Sequence, residues 1–290
     1  MEASYGASVN HFYHLFLFFP PFWCFETLAT LIEIRDSPLG GLGVFAKTDI
    51  PKGTRVLAES YLLRVLGADE EDVDAKKIIF AYNALYPSQQ EQYLSLHKHI
   101  ADQLKMFSLY TANAFTGVIL LGSRINRSCI PSLNFSHTSV LNKTTFHSIR
   151  DIPAGEELII DYIGAILLPR SQRQSLVSRY GFGCTCPACE GTAREMEKEK
   201  SRQGLFALHK KLGVARLFGM SGDWKGALQV AQRTAALLRS EGLVNRELGF
   251  VHHDAAVFSL RDGNLRMARL WAKKKLEVDC YCVGQDHPGT

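Results

Sequence analysis

The stretch Asn126-Arg127-Ser128-Cys129-Ile130-Pro131-Ser132 is a turn-prone segment in the middle of the chain that holds one isolated cysteine. Three more cysteines crowd into Cys184-Thr185-Cys186-Pro187-Ala188-Cys189, a spacing typical of metal ligands rather than of a loop-closing disulfide. A closed structural zinc site needs four ligands, and the cluster supplies only three. Cys129 is the natural fourth, because Cys24 lies in an apolar N-terminal run. We therefore predict a zinc ion held by Cys129, Cys184, Cys186 and Cys189, in a reducing compartment.

The composition is that of an ordinary folded protein. The chain has 290 residues, of which 46% are hydrophobic and 21% charged. Its net charge of +4, with no concentrated basic patch, gives no reason to expect direct nucleic-acid binding.

The apolar N-terminus is the one segment that resembles a targeting signal. Its core, Leu15–Phe25, has the length of a signal sequence, but residues 1–10 contain no Lys or Arg and Pro20-Pro21 breaks any helix. The run is also too short to span a bilayer. We interpret residues 1–29 as an apolar extension without an assigned role and expect no membrane association.

The middle of the chain has a mixed pattern. Short β-like segments separated by Gly- and Pro-containing turns begin near residue 30 and return after residue 132, with a polar helical insert at about 70–110. This pattern predicts an α+β domain over residues 30–165. Residues 166–192, with the cysteine cluster, form a separate segment after it.

Residues 193–290 are predicted to be entirely helical. Within them Gly222-Asp223-Trp224 aligns with Gly263-Asn264-Leu265, 41 positions later, and small residues follow both. Such an offset is typical of helix-hairpin repeats of the tetratricopeptide-like kind.

Two further motifs are weak signals when taken alone. Gly41-Leu42-Gly43 lies between two strands with no helix after it, so it does not meet the dinucleotide-binding pattern and indicates only a β-turn. The segment Glu157-Leu158-Ile159-Ile160-Asp161-Tyr162 ends a strand in a tyrosine, which is more often a core-edge residue than a catalytic one. These motifs become informative only when they are considered together with the cysteine motifs, in their order along the chain.

In this order the motifs resemble those of SET-domain protein lysine methyltransferases, over about residues 31–190. The region after Tyr162 is most similar to the SET-and-MYND branch, although no cysteine lies between Cys24 and Cys129 to build a MYND finger. The resemblance implies an α+β, SET-type β-clip fold of small sheets and a zinc-binding post-SET segment, followed by the all-α repeat region. It also implies an enzyme that uses S-adenosylmethionine.

The resemblance assigns roles to individual residues. Tyr162 would be the catalytic tyrosine, and Tyr180 a wall of the channel for the substrate lysine. The cofactor contacts would be made by Gly41, Leu42, Gly43, Asn113, Asn126, Arg127, Tyr162 and Phe182. Methyl transfer is an in-line displacement from a cationic sulfur by a neutral amine, so the protein mainly aligns and desolvates the reactants.

Two residues depart from the family pattern. Arg127 stands where the family has His, and its side chain is expected to point outward to solvent, because burying an unpaired guanidinium is costly. Ser132 stands where the family has a second Asn, with Asn134 two residues further on, and it is expected to loosen the chain crossing that forms the site. The departures favour the alternative of a catalytically inactive SET scaffold that binds peptides or proteins.

We expect the partner to be a protein, histone or otherwise, that presents a lysine. The protein is expected to act as a monomer in the nucleus, the cytoplasm or both.

Overall fold

The structure, a computed structural model, describes residues 31–65, 74–97, 105–164, 166–178, 180–190, 193–218 and 222–290. The predicted N-terminal extension lies outside these ranges. Among the residues described, no helix combines the length and the apolar character that a membrane crossing requires.

The strands form small sheets, as predicted for an α+β domain. Strands β1 (Ile32–Asp36) and β2 (Leu42–Ala46) pair antiparallel across the glycine turn. A second sheet has the order β3-β6-β5, from Arg55–Glu59, Lys143–Ser148 and Leu133–Thr138, all antiparallel. The shortest pair, β4 (Asn126–Arg127) and β7 (Ile159–Ile160), is parallel.

The core between these sheets is aliphatic, with one aromatic cluster. Val44, Phe45 and Ala46 on β2 are all buried although successive strand side chains point to opposite faces, so this strand is covered on both sides. Phe146 on β6 is fully buried and packs against Phe115 with ring centroids 5.8 Å apart. These contacts hold the sheets around the glycine turn and the segments at residues 126–132 and 157–162.

The predicted helical insert consists of α1 (Ala75–Asn83), α2 (Pro87–Leu94) and α3 (Lys105–Asn113). The side chain of Asp74 caps α1. Pro87 begins α2, where its missing backbone N–H costs nothing because the first N–H groups of a helix have no partner within the helix. The helices close over their own small core. The β-like segment before the insert forms only an isolated bridge, between Leu63 and Val118.

A short helix, α4 (Arg170–Ser178), precedes the cysteine cluster, and four long helices follow it. They are α5 (Ala193–Phe218), α6 (Trp224–Ser240), α7 (Arg246–Arg261) and α8 (Leu265–Val283), and each packs against the next. The buried small residues Ala227, Ala231 and Ala235 form one face of α6.

The two aligned sequence segments start α6 and α8 in the same way. Gly222 and Gly263 have positive φ values of 89° and 77°, which glycine adopts without strain. Asp223 and Asn264 follow them and cap the helices with side-chain oxygens. The assignment to a tetratricopeptide-like family stays a prediction. Helix α8 also lies against β5 and β6, where the Asn134 amide donates to the Cys282 carbonyl at 3.0 Å.

Candidate active site

Two of the sequence motifs cross each other at the centre of the domain. Asn126 pairs with Ile159 in the parallel strand pair, and Ser128 N–H donates to the Ile160 carbonyl at 3.0 Å. Ser132 is fully buried, and its hydroxyl accepts the Ile159 N–H at 3.0 Å. Ser132 therefore holds the crossing rather than loosening it, because a hydroxyl suffices for this one backbone donor.

The glycine turn is anchored to this crossing by one carboxylate. Glu157 accepts hydrogen bonds from the Ser37 hydroxyl at 2.8 Å and from the Asn126 amide at 2.8 Å. The same Asn126 amide donates to the Leu42 carbonyl at 3.1 Å. A Cβ on Gly43 would come within 2.3 Å of the Glu157 Oε1, so any larger residue would displace this carboxylate. Residue 43 is a glycine for packing reasons.

At Gly41, glycine is favoured by the backbone conformation rather than by packing. Gly41 has a φ of 62°, in the left-handed region, and a Cβ on it would meet nothing within 4 Å. The backbone of the turn is thus open to an approaching ligand at Gly41 and closed by Glu157 at Gly43.

A cavity of about 170 Å³ lies next to the crossing. Its lining is largely aromatic and small, from Thr111, Ala112, Asn113, Ala114, Phe115, Thr116, Ser123, Phe135, Tyr162 and Tyr180. The ring centroids of Tyr162 and Tyr180 are 5.6 Å apart, at an interplanar angle of 57°. The two tyrosines that the sequence predicted for catalysis and for the lysine channel therefore share one cavity.

The Tyr162 hydroxyl has a fixed orientation. It donates to the Ile125 carbonyl at 2.7 Å, directly before Asn126. Burial raises the pKa of this phenol well above its ordinary value of 10, and the neighbouring Tyr180 adds to the effect. Tyr162 is therefore neutral at physiological pH and can offer lone pairs, but it cannot act as a phenolate base.

Two other predicted cofactor contacts occupy different surroundings. Asn113 is 3% exposed at the cavity wall, and its amide donates to the His97 and Leu109 carbonyls at 2.8 Å each. Phe182 is 41% exposed and is not among the residues that line the cavity. Their contact with a cofactor stays a prediction.

The four predicted metal ligands come together. The Sγ atoms of Cys129, Cys184, Cys186 and Cys189 all lie within 4.8 Å of one another, and all four residues are buried. The Sγ atoms of Cys129 and Cys189 are 3.6 Å apart. Zinc bound tetrahedrally at about 2.3 Å from each sulfur would separate the sulfurs by about 3.8 Å. The donor set and its spacing fit a structural zinc ion.

The prediction that Arg127 points outward is wrong. Its side chain is fully buried, and its Nη2 donates to the Cys129 Sγ at 3.0 Å. The Asp161 carboxylate lies 3.7 Å from the same nitrogen. Burial of the guanidinium is tolerated because Cys129 and Asp161 are its partners. The sequence-based expectation assumed a guanidinium without partners.

Sequence reasoning missed three residues of this site. Glu157 was seen only as the start of a strand motif, and no spacing indicates that its carboxylate fills the place of a Cβ on Gly43. Arg173 on α4 and Arg202 on α5 are buried beside the cysteines, where Arg202 donates to the Cys129 carbonyl at 3.3 Å. Nothing in the pattern of charged helices distinguishes these arginines from solvated ones.

Comparison with known proteins agrees with this site. Residues 41–163 match the SET domain family. The chain is 29% identical over 263 residues to the histone-lysine N-methyltransferase set5 of Schizosaccharomyces pombe, an alignment that covers 88% of this chain and 80% of set5. It is 35% identical over 108 residues to the SET domain and MYND-type zinc finger protein 6 of the same yeast, covering 35% of this chain and 22% of that protein. It is also 34% identical over 77 residues to the chicken (Gallus gallus) protein-lysine N-trimethyltransferase SMYD5, covering 26% of this chain and 18% of that one.

The residues of both crossed motifs lie within the segment that matches the SET domain family. The relatives that this chain resembles include histone- and protein-lysine methyltransferases, the class that its motifs predicted.

Proposed function

We propose that the protein transfers a methyl group from S-adenosylmethionine to the ε-amine of a lysine in a protein substrate. The observation that carries this proposal is the cavity that Tyr162 and Tyr180 line together, with ring centroids 5.6 Å apart. An aromatic channel of this kind admits the aliphatic stem of a lysine and favours the cationic methylammonium forms that methyl transfer produces.

The residues around the cavity support the chemistry expected there. S-adenosylmethionine, when bound, supplies the methyl group on a cationic sulfur. The neutral Tyr162 hydroxyl already donates its proton to Ile125, so its oxygen lone pairs remain to stabilise positive charge at the reacting centre. Ile125 thus orients the hydroxyl, and the aromatic walls exclude water from the amine.

Cofactor binding would use the glycine turn and the crossing. The open backbone at Gly41 leaves room for a ligand, and Asn126 with Glu157 holds the turn in place. Leu42, Gly43, Asn113, the Arg127 backbone and Phe182 complete the proposed set of contacts. The Ser132 hydroxyl accepts the Ile159 N–H, and the Arg127 guanidinium donates to the Cys129 sulfur. Both departures from the family pattern thus fit the folded site and do not by themselves argue for an inactive scaffold.

We further propose that the four cysteines bind one zinc ion of structural function. The ion would tie the segment after α4 to the central crossing through Cys129. Since Tyr180 and Phe182 directly precede Cys184 in the chain, metal binding would also position the channel wall.

The substrate is proposed to be a histone or another nuclear protein, because set5, the relative aligned over most of both chains, is named a histone-lysine N-methyltransferase. Residues 193–290 would act as a tetratricopeptide-like region that shapes access for the substrate. This division, with the catalytic domain at residues 30–165 and the zinc segment at 166–192, is part of the proposal.

Tyr162→Phe tests the function. In isothermal titration with S-adenosylmethionine, this variant is expected to retain much of the wild-type affinity, because the lost hydroxyl acts mainly in the transition state. Turnover on a lysine substrate should fall on the order of a hundredfold, or about 3 kcal/mol. Unchanged turnover would make Tyr162 a packing residue. A wild-type protein that binds the cofactor but transfers no methyl group would support the scaffold alternative.

A further inference from the structure

The cysteine cluster is surrounded by guanidinium groups. The side chains of Arg127 and Arg173 are 0% exposed. Arg127 Nη2 lies 3.0 Å from the Cys129 Sγ, and Arg173 Nη2 lies 3.7 Å from the Cys189 Sγ. Two full positive charges are therefore directed at two of the four sulfurs, from β4 on one side and α4 on the other.

The contacts of Arg127 show what kind of group it requires. Its Nε and Nη1 are buried without a hydrogen-bond partner, and Asp161 at 3.7 Å is too far for a good hydrogen bond. The direct hydrogen bond of its guanidinium in the described structure goes to the Cys129 sulfur. A neutral thiol is a weak acceptor, whereas a thiolate is a strong one. The hydrogen bond from Arg127 is therefore strongest when Cys129 is a thiolate.

Arg173 has a more extended set of partners. Its Nη1 donates to the Leu168 carbonyl at 2.5 Å, and its Nη2 donates to the Ala188 carbonyl at 3.2 Å. Glu199 on α5 lies 3.5 Å from Nη2. Arg173 thus joins the cysteine loop to the first long helix of the C-terminal region while it faces the Cys189 sulfur.

A zinc ion with four thiolates carries a net charge of −2, which is costly to bury without compensation. We propose that Arg127 and Arg173 are outer-sphere residues of the zinc centre, which offset this charge and donate N–H groups to the Cys129 and Cys189 sulfurs. The residue that departs most visibly from the family pattern thereby serves the metal centre. This inference rests on the proposed zinc site, and it makes Arg127 a positioning residue with no contact to substrate.

The test compares zinc retention in wild type, Arg127→Met and Arg173→Met. Loss of an outer-sphere partner typically lowers metal affinity 10–100-fold. We expect that range for both variants in competition with a chromogenic chelator at fixed pH. Arg216→Met is the matched control, since it breaks a partly buried ion pair with Asp254 away from the cysteines, and it should retain zinc like the wild type.

A second readout separates a sulfur contact from general destabilisation. In the cobalt-substituted protein, an N–H donor to sulfur lowers the energy of the sulfur lone pairs. The thiolate-to-cobalt absorption band is therefore expected at longer wavelength in Arg127→Met than in wild type, and unmoved in Arg216→Met. If Arg127→Met does not fold, Arg127→His, the residue of the family pattern, is measured at pH 8 and should also lose zinc faster.

The outcomes are distinguishable. A wild-type protein without zinc would overturn the metal site and this inference together. Zinc in the wild type, with unchanged zinc affinity and an unmoved cobalt band in the folded arginine variants, would overturn only the inference. Weaker retention with a shifted band would support it.

Discussion

Gly43→Ala is expected to disrupt the glycine turn mainly through a collision with the Glu157 side chain, with the Ser37 Cβ as a second close contact at 3.0 Å. Residue 43 does not have a positive φ, so alanine is allowed by the backbone, but its Cβ would lie 2.3 Å from Glu157 Oε1 and 3.0 Å from the Glu157 Cδ. The carboxylate must move away from its two donors, Ser37 and Asn126.

The cost follows from those lost contacts. Hydrogen bonds to a charged group contribute about 1.5–3 kcal/mol each, and water recovers part of this at a half-buried carboxylate. We expect a loss of about 3 kcal/mol in the free energy of unfolding, measured by urea denaturation. Cofactor affinity should fall as well, because the turn shifts.

A double-mutant cycle tests the cause. In a Glu157→Ala background the closest contact is gone and the Ser37 Cβ at 3.0 Å remains, so adding Gly43→Ala should cost less than about 1 kcal/mol. Gly213→Ala, where a Cβ meets nothing within 4 Å, is the control and should not destabilise the protein. If Gly43→Ala costs the same with and without the Glu157 side chain, the steric explanation of this glycine is refuted.

Three further predictions concern stability and the metal. Burial lowers the pKa of the His147 imidazole from 6.5 to about 4, so the unfolded chain is protonated at a higher pH than the folded protein. Up to about 3 kcal/mol of the free energy of unfolding should therefore be lost as pH falls from 6.5 to 4. Denaturation of His147→Gln should show a flatter pH dependence, and a pH dependence equal to that of the wild type would contradict this role of His147. Ser132→Ala leaves the Ile159 N–H without its partner and should cost about 1–3 kcal/mol, against almost nothing for the exposed Ser139→Ala. Cys129→Ser should lower both zinc content by metal analysis and the melting temperature, and unchanged values would remove Cys129 from the ligand set.

The motifs could be read from the sequence because each depends on residue type and order. The thiols of residues 184–189 need a fourth ligand whatever the surrounding fold, and the structure brings Cys129 to them. Likewise the crossing of residues 126–132 with Glu157–Tyr162 follows from a family pattern that spans the whole domain.

The directions of the Arg127 and Glu157 side chains could not be predicted from the sequence. Whether Arg127 faces solvent or the cysteines depends on α4 and the cysteine loop, which close over it from more than forty residues further along the chain. The role of Glu157 beside Gly43 is likewise a contact between distant segments. Burial of a charge is decided by partners that folding supplies, and no local pattern indicates them.

Methyl transfer to a protein lysine can be measured with a labelled cofactor. Zinc-loaded wild type is incubated with S-adenosylmethionine carrying a labelled methyl group and with purified core histones, and mass spectrometry locates the label. We expect label on a lysine ε-amine, at a rate reduced on the order of a hundredfold in Tyr162→Phe. Label on no lysine of any histone or other nuclear protein tested, although titration shows that the wild type binds the cofactor, would contradict the proposed methyltransferase activity.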